Sequence, residues 1–451
     1  SMRDYHQQLE AIVPYAVKGR VVRTQGMVIA VAGLPAPVGG QVLIDRVGGG
    51  PLRGEIIGFH QDETLVYPYE EVHGLRMGAS ARLSQSSRYL PVGNALIGRV
   101  IDAHGNALDG GDPPKLRSRT PLSQTPPPAV ERPRIDLPLS TGVRAIDSML
   151  TCGLGQRMGI FAGAGVGKSV LLGMMSRYTS ADVNVIALIG ERGREVNDFL
   201  ERDLGPEGLA RSVVIVSTGD QPALLRVQAA LTATAVAEYF RSEGRHVMLL
   251  MDSLTRFATA QREIGLAAGE PPTTRGYPPS VFSLLPRLVE RAGRSTQGSI
   301  TAFYSVLVEG DDPNEPIADT VRGLLDGHTY LKRSLASKGH FPAIDPLDSI
   351  SRVMSDICPQ EQLAAAQRIR TLIADYQEHE DLIMIGAYRQ GSNPEVDMAI
   401  KAKPLIDVFL KQEMNESSDY NRSARQLSEL AAAFPVRSPA AGNPENPQTN
   451  S

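Results

Sequence analysis

Hydrophobic and polar positions repeat in two different ways along the 451-residue chain. Between residues 20 and 85, short β-branched runs are separated by glycine and proline, a spacing typical of a small antiparallel barrel or sandwich. From about 140 to 358, apolar runs alternate with helical segments, and the runs that we predict as strands are 157–162, 183–189, 212–217, 246–252 and 299–307. Continuous apolar strands separated by helices indicate a doubly wound parallel sheet, buried on both faces.

The remaining segments form a connector and the two ends of the chain. Residues 112–139 are rich in proline with apolar residues between, which predicts an extended connector that wraps onto the next domain. Apolar residues recur at helical spacing within 360–434, which predicts a C-terminal helical domain. The predicted parts are an N-terminal helix or arm at 1–19, a small β-barrel at 20–90, an α/β core at 91–358, a helical domain at 359–436 and a disordered tail at 437–451.

Composition excludes several classes of protein. The formal net charge is −4, so the chain as a whole does not attract nucleic acid or anionic lipid. The two cysteines, Cys152 and Cys358, are too few for a disulfide scaffold, lack the spacing of a metal site and suit a reducing cytoplasm. No apolar run approaches the roughly 18 residues of a membrane-spanning helix, and we therefore predict a cytoplasmic protein.

The segment 159–169 carries the most specific chemistry. It predicts a buried strand, a glycine-rich turn, Lys168-Ser169 and then a helix, the pattern of a phosphate-binding loop in which the lysine reaches the β- and γ-phosphates and the serine hydroxyl binds Mg²⁺. One position departs from the usual pattern, since Ala162 replaces the first glycine. The residues that we expect to contact the nucleotide here are Ala162, Gly163, Ala164, Gly165, Val166, Gly167, Lys168, Ser169 and Val170.

Two other predicted strands lead into acidic residues. One ends in Asp252, which we predict to hold Mg²⁺ beside the phosphate loop; the alternative is that Asp252 only caps the following helix. The other leads into Glu191, which we expect to orient the attacking water from a strand beside the phosphate-loop strand. Glu195 lies one helical turn later and is a candidate ligand of a metal-bound water. For both glutamates, the alternative is a charged first turn of a helix.

The segment 190–195, Gly-Glu-Arg-Gly-Arg-Glu, resembles the catalytic subunits of rotary ATP synthases and their relatives. Further segments resemble the ATPases of type III secretion, and the resemblance extends from about residue 20 to 435; these segments are 252–256, 269–272, 276–282, 308–312 and 326–328. The resemblance implies a RecA-like core, ATP as the substrate, Mg²⁺ as the cofactor and a homohexamer with active sites between subunits.

The resemblance also implies roles for residues outside the phosphate loop. Arg352 matches an arginine finger that acts across the subunit interface, worth roughly 10³–10⁵ in rate; an ion pair within the subunit is the alternative. Phe341 matches a residue that stacks on adenine, and a core phenylalanine is the alternative. Arg192 and Arg256 match positions that bind phosphate or couple neighbouring sites, with surface pairing as the alternative. The predicted catalytic residues are Glu191, Lys168, Arg352 and Arg192.

Partners follow from the resemblance alone. They are a stalk-like regulator at the N-terminus, a coiled-coil protein in the central pore next to the loop 276–282, complexes of export chaperones with their substrates, and a membrane export gate that the protein contacts peripherally. No nucleic acid is expected.

Several functions compete for this sequence. We favour an ATPase that energises flagellar protein export, because the segment 385–394 resembles flagellar members more than virulence members. The virulence-type secretion ATPase is the alternative. More distant alternatives are a subunit of a proton-coupled ATP synthase and a Rho-like RNA translocase. The N-terminal domain of the translocase would need a basic stripe and exposed aromatics, whereas residues 20–85 offer only Phe59, Tyr67 and Tyr69 and no basic cluster. A non-catalytic scaffold is disfavoured by the presence of Lys168, Glu191 and Asp252.

Overall fold

The computed structural model describes residues 17–308 and 315–435. Residues 1–16 of the predicted arm, the segment 309–312 and the predicted disordered tail at 437–451 lie outside the described residues. Across the described ranges, every helix is too short or too polar to span a lipid bilayer.

The N-terminal strands are β1 Lys18–Gln25, β2 Val28–Ala32, β3 Gln41–Ile44, β4 Leu52–His60, β5 Glu63–Pro68 and β6 Ser80–Gln85. They close into a six-stranded barrel in the order β1-β2-β5-β4-β3-β6. Alternate side chains such as Ile44, Leu52 and Val66 are fully buried and fill the barrel. β6 closes the barrel but was missing from the predicted runs, because Ala81 and Leu83 are its only apolar residues.

Past the barrel, the strands are β7 Tyr89–Val92, β8 Arg99–Ile101, β9 Ser118–Pro121, β10 Pro138–Leu139, β11 Cys152–Gly153, β12 Arg157–Ala162, β13 Val183–Ile189, β14 Ser212–Ser217, β15 His246–Asp252, β16 Gly293–Arg294, β17 Ser299–Leu307, β18 Gly327–Leu331 and β19 Ile344–Ser351. Nine of them form the central sheet, in the order β19-β18-β12-β17-β15-β13-β14-β8 with β16 paired to β17. The pairs β18–β19 and β16–β17 are antiparallel and the others are parallel.

The five strands that the apolar runs predicted have the predicted bounds, and they form the middle of this sheet. The predicted fold class, an α/β core between a small barrel and a helical domain, is confirmed. The sequence missed the outer strands because they are short or polar. β19, for example, contains Asp345, Pro346 and Asp348. It is the edge strand of the mostly parallel sheet and runs antiparallel to its neighbour β18.

The α-helices are α1 Arg144–Met149, α2 Lys168–Tyr178, α3 Gly193–Asp198, α4 Gly205–Leu209, α5 Ala223–Ser242, α6 Leu254–Ala267, α7 Pro279–Val289, α8 Pro316–Leu324, α9 Arg333–Ser337, α10 Met354–Ile357, α11 Gln360–Met384, α12 Pro394–Leu410 and α13 Tyr420–Ala432. A π-helical turn, Phe199–Leu204, joins α3 to α4. Two apolar layers cover the central sheet: α5, α6, α7 and α8 pack on one face, and α1, α2 and the C-terminal helices α11 to α13 pack on the other.

The proline-rich connector lies along the core. β9 pairs with β7 in antiparallel register, and β10 pairs with β11. Between these strands, the Arg132 guanidinium donates to the Glu290 carboxylate at 2.8 Å and to the Glu290 backbone carbonyl at 3.0 Å. These contacts hold the connector against the end of α7, so it forms part of the packed core domain.

The helix that follows the phosphate loop offers a test of this packing. A methyl group added at Gly173 in α2 would overlap the backbone carbonyl of Asp203, whereas one added at Gly323 in α8 would meet no atom within 4 Å. An alanine in a helix is otherwise favoured over glycine by about 1 kcal/mol. We expect Gly173→Ala to lower the free energy of unfolding by about 1–3 kcal/mol, and Gly323→Ala to leave it unchanged or raise it. Equal effects in chemical denaturation would contradict the close approach of α2 to the π-helical turn.

Candidate active site

The phosphate loop joins β12 to α2 at the carboxyl edge of the sheet. Gly165 and Gly167 adopt φ of 76° and 87°, a region that glycine enters without the strain other residues meet. Ala162 pairs with Leu307 and Leu331 of the neighbouring strands. Its methyl group therefore belongs to the sheet and not to the turn, which explains why the turn tolerates the missing first glycine.

Lys168 and Asp252 meet above this edge. The Lys168 Nζ lies 2.5 Å from Asp252 Oδ1, and the Ser305 hydroxyl donates to the same oxygen at 2.7 Å. Their side chains are only 12% and 5% exposed, so the pair is shielded from water. The alternative helix-capping role belongs to the next residue, because the Ser253 hydroxyl accepts from the Arg256 backbone N–H at 3.3 Å.

Glu191 follows the expected strand, but that strand occupies another position in the sheet than predicted. β13, which leads into Glu191, does not lie beside β12 as predicted, because β17 and β15 lie between them. The reason is the topology: the chain crosses over two sheet positions after α2, and they are filled later by β15 and β17. β13 instead pairs with β15, with Leu188 opposite Asp252. This neighbour relation brings Glu191 to Asp252.

Burial and charge set the protonation of Glu191. Its pKa is raised to about 7, first because the carboxyl is buried and then because the Asp252 carboxylate is near. The cations Lys168 and Arg256 oppose this shift, and Arg256 Nη2 lies 3.3 Å from Glu191 Oε2. The pKa of Glu195 is lowered, mainly by a hydrogen bond with Glu191. The opposite shifts place the proton on Glu191, which donates to the Glu195 carboxylate.

The two candidate arginines of this region differ in their surroundings. Arg256 lies over Gly190, and its guanidinium donates to the Gly190 carbonyl as well as to Glu191. Arg192 is exposed at the start of α3, where its backbone N–H donates to the Glu195 carboxylate at 3.2 Å. Arg256 therefore contacts the group formed by Glu191, Glu195 and Asp252, which we call the acidic cluster, whereas the Arg192 side chain faces solvent.

Phe341 borders the phosphate loop from the other side. Its ring is 46% exposed and would lie 3.3 Å from a methyl group placed on Gly167. A cavity of about 500 Å³ opens beside it; we call this the base pocket, and its lining residues are Gly165, Gly167, Val170, Leu171, Met174, Gly339, Phe341, Pro342, Lys411, Gln412, Glu413, Met414 and Glu416. The half-exposed ring argues against the alternative of a core phenylalanine.

Sequence reasoning missed the wall of the base pocket at 411–416. This segment links α12 to α13 in the helical domain, far along the chain from the phosphate loop. Its residues, Lys-Gln-Glu-Met-Asn-Glu, match no nucleotide motif. The only signal was its position between two amphipathic helices, which indicates a loop without indicating what the loop contacts.

Arg352 is the predicted site residue that the fold keeps apart from the others. It follows β19, whose Ser351 pairs with Gly327 at the start of β18. Because β19 is antiparallel, Arg352 lies at the amino edge of the sheet, about 15–20 Å from the phosphate-loop edge for a six-residue strand. The side chain is exposed and forms no ion pair with any residue in 17–308 or 315–435. The alternative of an ion pair within the subunit finds no support among the described residues.

Two family models match the chain. The ATP synthase alpha/beta family, nucleotide-binding domain, matches residues 142–351, and the T3SS EscN ATPase C-terminal domain matches residues 358–429. The first match contains the phosphate loop, the acidic cluster, Phe341 and the end of β19. The second covers most of the described helical domain.

Relatives match nearly the whole chain. The flagellum-specific ATP synthase of Bacillus subtilis (strain 168) is 53% identical over 94% of this chain and 97% of its own length. The type 3 secretion system ATPase of Xanthomonas euvesicatoria is 50% identical over 91% of this chain and 93% of its own length.

Solved structures agree with this match. The assembled ATPase EscN of the enteropathogenic E. coli type III secretion system has a TM-score of 0.86 at 45% identity and covers 92% of this chain and 100% of its own. EscN in complex with its central stalk EscO has a TM-score of 0.85. The chain belongs to the family of flagellum-specific and type III secretion ATPases, and the resemblance predicted from the sequence is confirmed.

The raised pKa of Glu191 predicts a pH dependence of stability. The folded chain holds this proton up to about pH 7, whereas the ordinary value of a glutamate is 4.5. Between these pH values the folded state binds more protons than the unfolded state, so this carboxyl makes stability fall as pH rises. The Glu191→Gln variant has no carboxyl at this position, so it does not lose this part of its stability as the pH rises. Its free energy of unfolding relative to wild type should therefore rise between about pH 4.5 and 7 in denaturant titrations and level off above. A difference independent of pH would contradict the burial of this carboxyl.

Proposed function

We propose that this chain is a Mg²⁺-dependent ATPase that works as a homohexameric ring and energises type III protein export, with flagellum assembly as the process it serves. The observation that carries the proposal is the cluster at the carboxyl edge of the sheet. There a phosphate-loop lysine, a strand-end aspartate and a buried glutamate with a pKa of about 7 lie together. This set of groups suits phosphoryl transfer to water.

ATP binds across the phosphate loop and the base pocket. The loop from Ala162 to Ser169 holds the phosphates by its backbone N–H groups and by Lys168, and Val170 lines the base pocket. Phe341 stacks on adenine. The contact of its ring with Gly167 supports this role, because the contact puts a flat apolar surface next to the loop that holds the phosphates.

The residues at this edge fit Mg²⁺. Magnesium takes oxygen ligands and is bound through one or two protein groups together with phosphate oxygens and water. The Ser169 hydroxyl is exposed in the first turn of α2. The Asp252 carboxylate lies at the end of β15, which is separated from β12 by β17. Glu195 would act through a water bound to the metal. When bound, the metal supplies positive charge to the phosphate oxygens.

Glu191 orients the attacking water and accepts its proton. A base is most effective when its pKa lies near the working pH, and a pKa of about 7 meets this condition. Arg256 holds the carboxylate from one side. A γ-phosphate that entered between Lys168 and Glu191 would attract Arg256 and Arg192 as well, so both arginines are suited to bind phosphate.

Arg352 completes the site of a neighbouring subunit. Within one chain it lies at the opposite edge of the sheet from Glu191, and its guanidinium is exposed. In a closed ring with head-to-tail contacts, each subunit presents one surface to the site on the next. The exposed arginine then supplies charge to the transition state in trans.

Partners and location follow from the family. The complex of EscN with its central stalk EscO supports a coiled-coil protein in the pore beside 276–282. We further propose a stalk-like regulator at the N-terminus, chaperone–substrate complexes at the helical domain, and a cytoplasmic location with peripheral contact to the membrane export gate. Nucleic acid is not among the proposed partners.

The virulence-type secretion ATPase is the second candidate. It is favoured by the Xanthomonas relative and by the EscN structures. The flagellar function is supported by the segment 385–394 and by relatives from Bacillus subtilis, Salmonella typhimurium and Pseudomonas aeruginosa, each named a flagellum-specific ATP synthase.

A mixing experiment tests the shared site. Glu191→Gln and Arg352→Ala should each lower the Mg²⁺-dependent ATPase rate by roughly 10³-fold or more. An equimolar mixture should recover activity, because in random rings about a quarter of the interfaces pair an intact Glu191 with an intact Arg352 from the neighbour. Lys168→Ala mixed with Glu191→Gln is the matched control and should recover nothing, since both changes lie in the same half of the site. An active Arg352→Ala variant would refute the role in trans.

A genetic experiment separates the two export functions. In the organism that encodes the chain, we expect Lys168→Ala on the chromosome to abolish flagellar filaments and swimming, because the phosphate-loop lysine is needed to bind the nucleotide phosphates. Electron microscopy and motility agar measure the outcome. Normal filaments combined with loss of other secreted proteins would replace the flagellar function by the virulence type.

A further inference from the structure

The base pocket is made by two parts of the chain that are joined at one buried residue. Phe341 and the phosphate loop form one side, and the segment 411–416 of the helical domain forms the other. Gln412 lies between them and is 5% exposed. Its backbone N–H donates to the Phe341 carbonyl at 3.0 Å, so the two walls of the pocket are in direct contact through this residue.

The Gln412 side chain ties the pocket wall to the core. Its amide N–H groups donate to the Gly142 carbonyl at 2.8 Å and to the Glu416 carbonyl at 2.7 Å. Its amide oxygen accepts from the Arg144 backbone N–H at 2.7 Å. Both amide hydrogens and the amide oxygen are used, so the side chain is fixed in one orientation.

Neighbouring contacts hold the same segment from outside. The Arg144 guanidinium donates to the Phe409 carbonyl at 3.1 Å and pairs with the Glu416 carboxylate. The Arg177 guanidinium of α2 donates to the Met414 carbonyl at 2.5 Å. These contacts surround Gln412, but none of them reaches Phe341. Gln412 joins the wall to the core through its side chain and to the Phe341 carbonyl through its backbone N–H.

We propose that Gln412 is a positioning residue for the nucleotide base, and that it sets the spacing between Phe341 and the wall at 411–416. The inference rests on the proposed binding of ATP at this site. A base of fixed thickness needs two walls at a fixed separation, because dispersion contacts weaken steeply once a gap opens. Gln412 touches neither the phosphates nor the reacting atoms, so it acts on affinity for the base and not on the chemical step.

The test uses Gln412→Glu and a matched control, Gln362→Glu. The Gln362 amide is 3% exposed and also joins the helical domain to α1, donating to the Ser148 carbonyl and the Thr151 hydroxyl at 3.0 Å each. It lines no part of the base pocket. In both variants a carboxylate without N–H donors replaces a buried amide that connects the helical domain to the core. Only Gln412 lines the base pocket.

Gln412→Glu should raise KM for ATP about tenfold and leave kcat within about twofold, because a wall that has lost its hydrogen bonds to the core no longer keeps close contact with the base. Inhibition by inorganic tripolyphosphate, which occupies the phosphate loop without a base, should be unchanged. Gln362→Glu should shift none of the three quantities. Gln412→Met keeps the side-chain length and should give the same result if the glutamate variant fails to fold in a thermal melt.

Two outcomes would overturn the inference. A folded Gln412 variant with wild-type KM would show that the residue does not set the pocket. A parallel rise in KM and in the tripolyphosphate inhibition constant would show a general disturbance of the loop. Both results leave ATP hydrolysis by the wild type intact, whereas a wild type that neither binds nor hydrolyses ATP would refute the proposed function itself.

Discussion

The ion pair between Lys168 and Asp252 fixes the geometry of the candidate site. Two opposite charges that are largely removed from water must stay paired, because removing one partner leaves the other as an uncompensated buried charge. Lys168 belongs to α2, Asp252 to the end of β15, and Ser305, which supports the pair, to β17. The contact therefore holds the phosphate loop to two neighbouring strands and defines where the phosphates of a nucleotide must enter.

Burial is the main cause of the raised pKa of Glu191, and the same ion pair adjusts it further. The Asp252 carboxylate raises the pKa of Glu191 and Lys168 lowers it, so any ligand that draws Lys168 away from Asp252 changes the balance. A polyphosphate bound to Lys168 would do this and would bring its own negative charge. In the proposed reaction, the arrival of the nucleotide and the basicity of the carboxyl that activates water are thus coupled through one contact. The nearby arginine, Arg256, keeps the carboxylate in place while this balance changes.

Sequence patterns predicted the parts of the fold that depend on continuous apolar runs. The five inner strands follow directly from such runs, because strands buried on both faces consist mostly of apolar residues. The phosphate loop follows from its glycine-rich turn and Lys168-Ser169. The order of the strands does not follow, since it depends on crossovers that skip positions, and for this reason β13 was wrongly expected beside β12. The wall of the base pocket was also missed. Its residues are held against Phe341 and the core by backbone groups and a buried glutamine, which leave no periodic pattern.

In the proposed ring, the direction of β19 explains why a site with a complete carboxyl edge would still depend on a second chain. Had β19 run parallel to its neighbours, Arg352 would have followed the strand onto the phosphate-loop edge. Instead β19 returns antiparallel, and Arg352 lies next to Asp326 at the amino edge. An exposed cation that is held at the far edge by backbone pairing cannot reach the chain's own phosphates without breaking the sheet. The antiparallel edge strand thus places Arg352, a residue of the proposed catalytic set, on the surface of the subunit. In the proposed ring, hydrolysis depends on assembly for this reason.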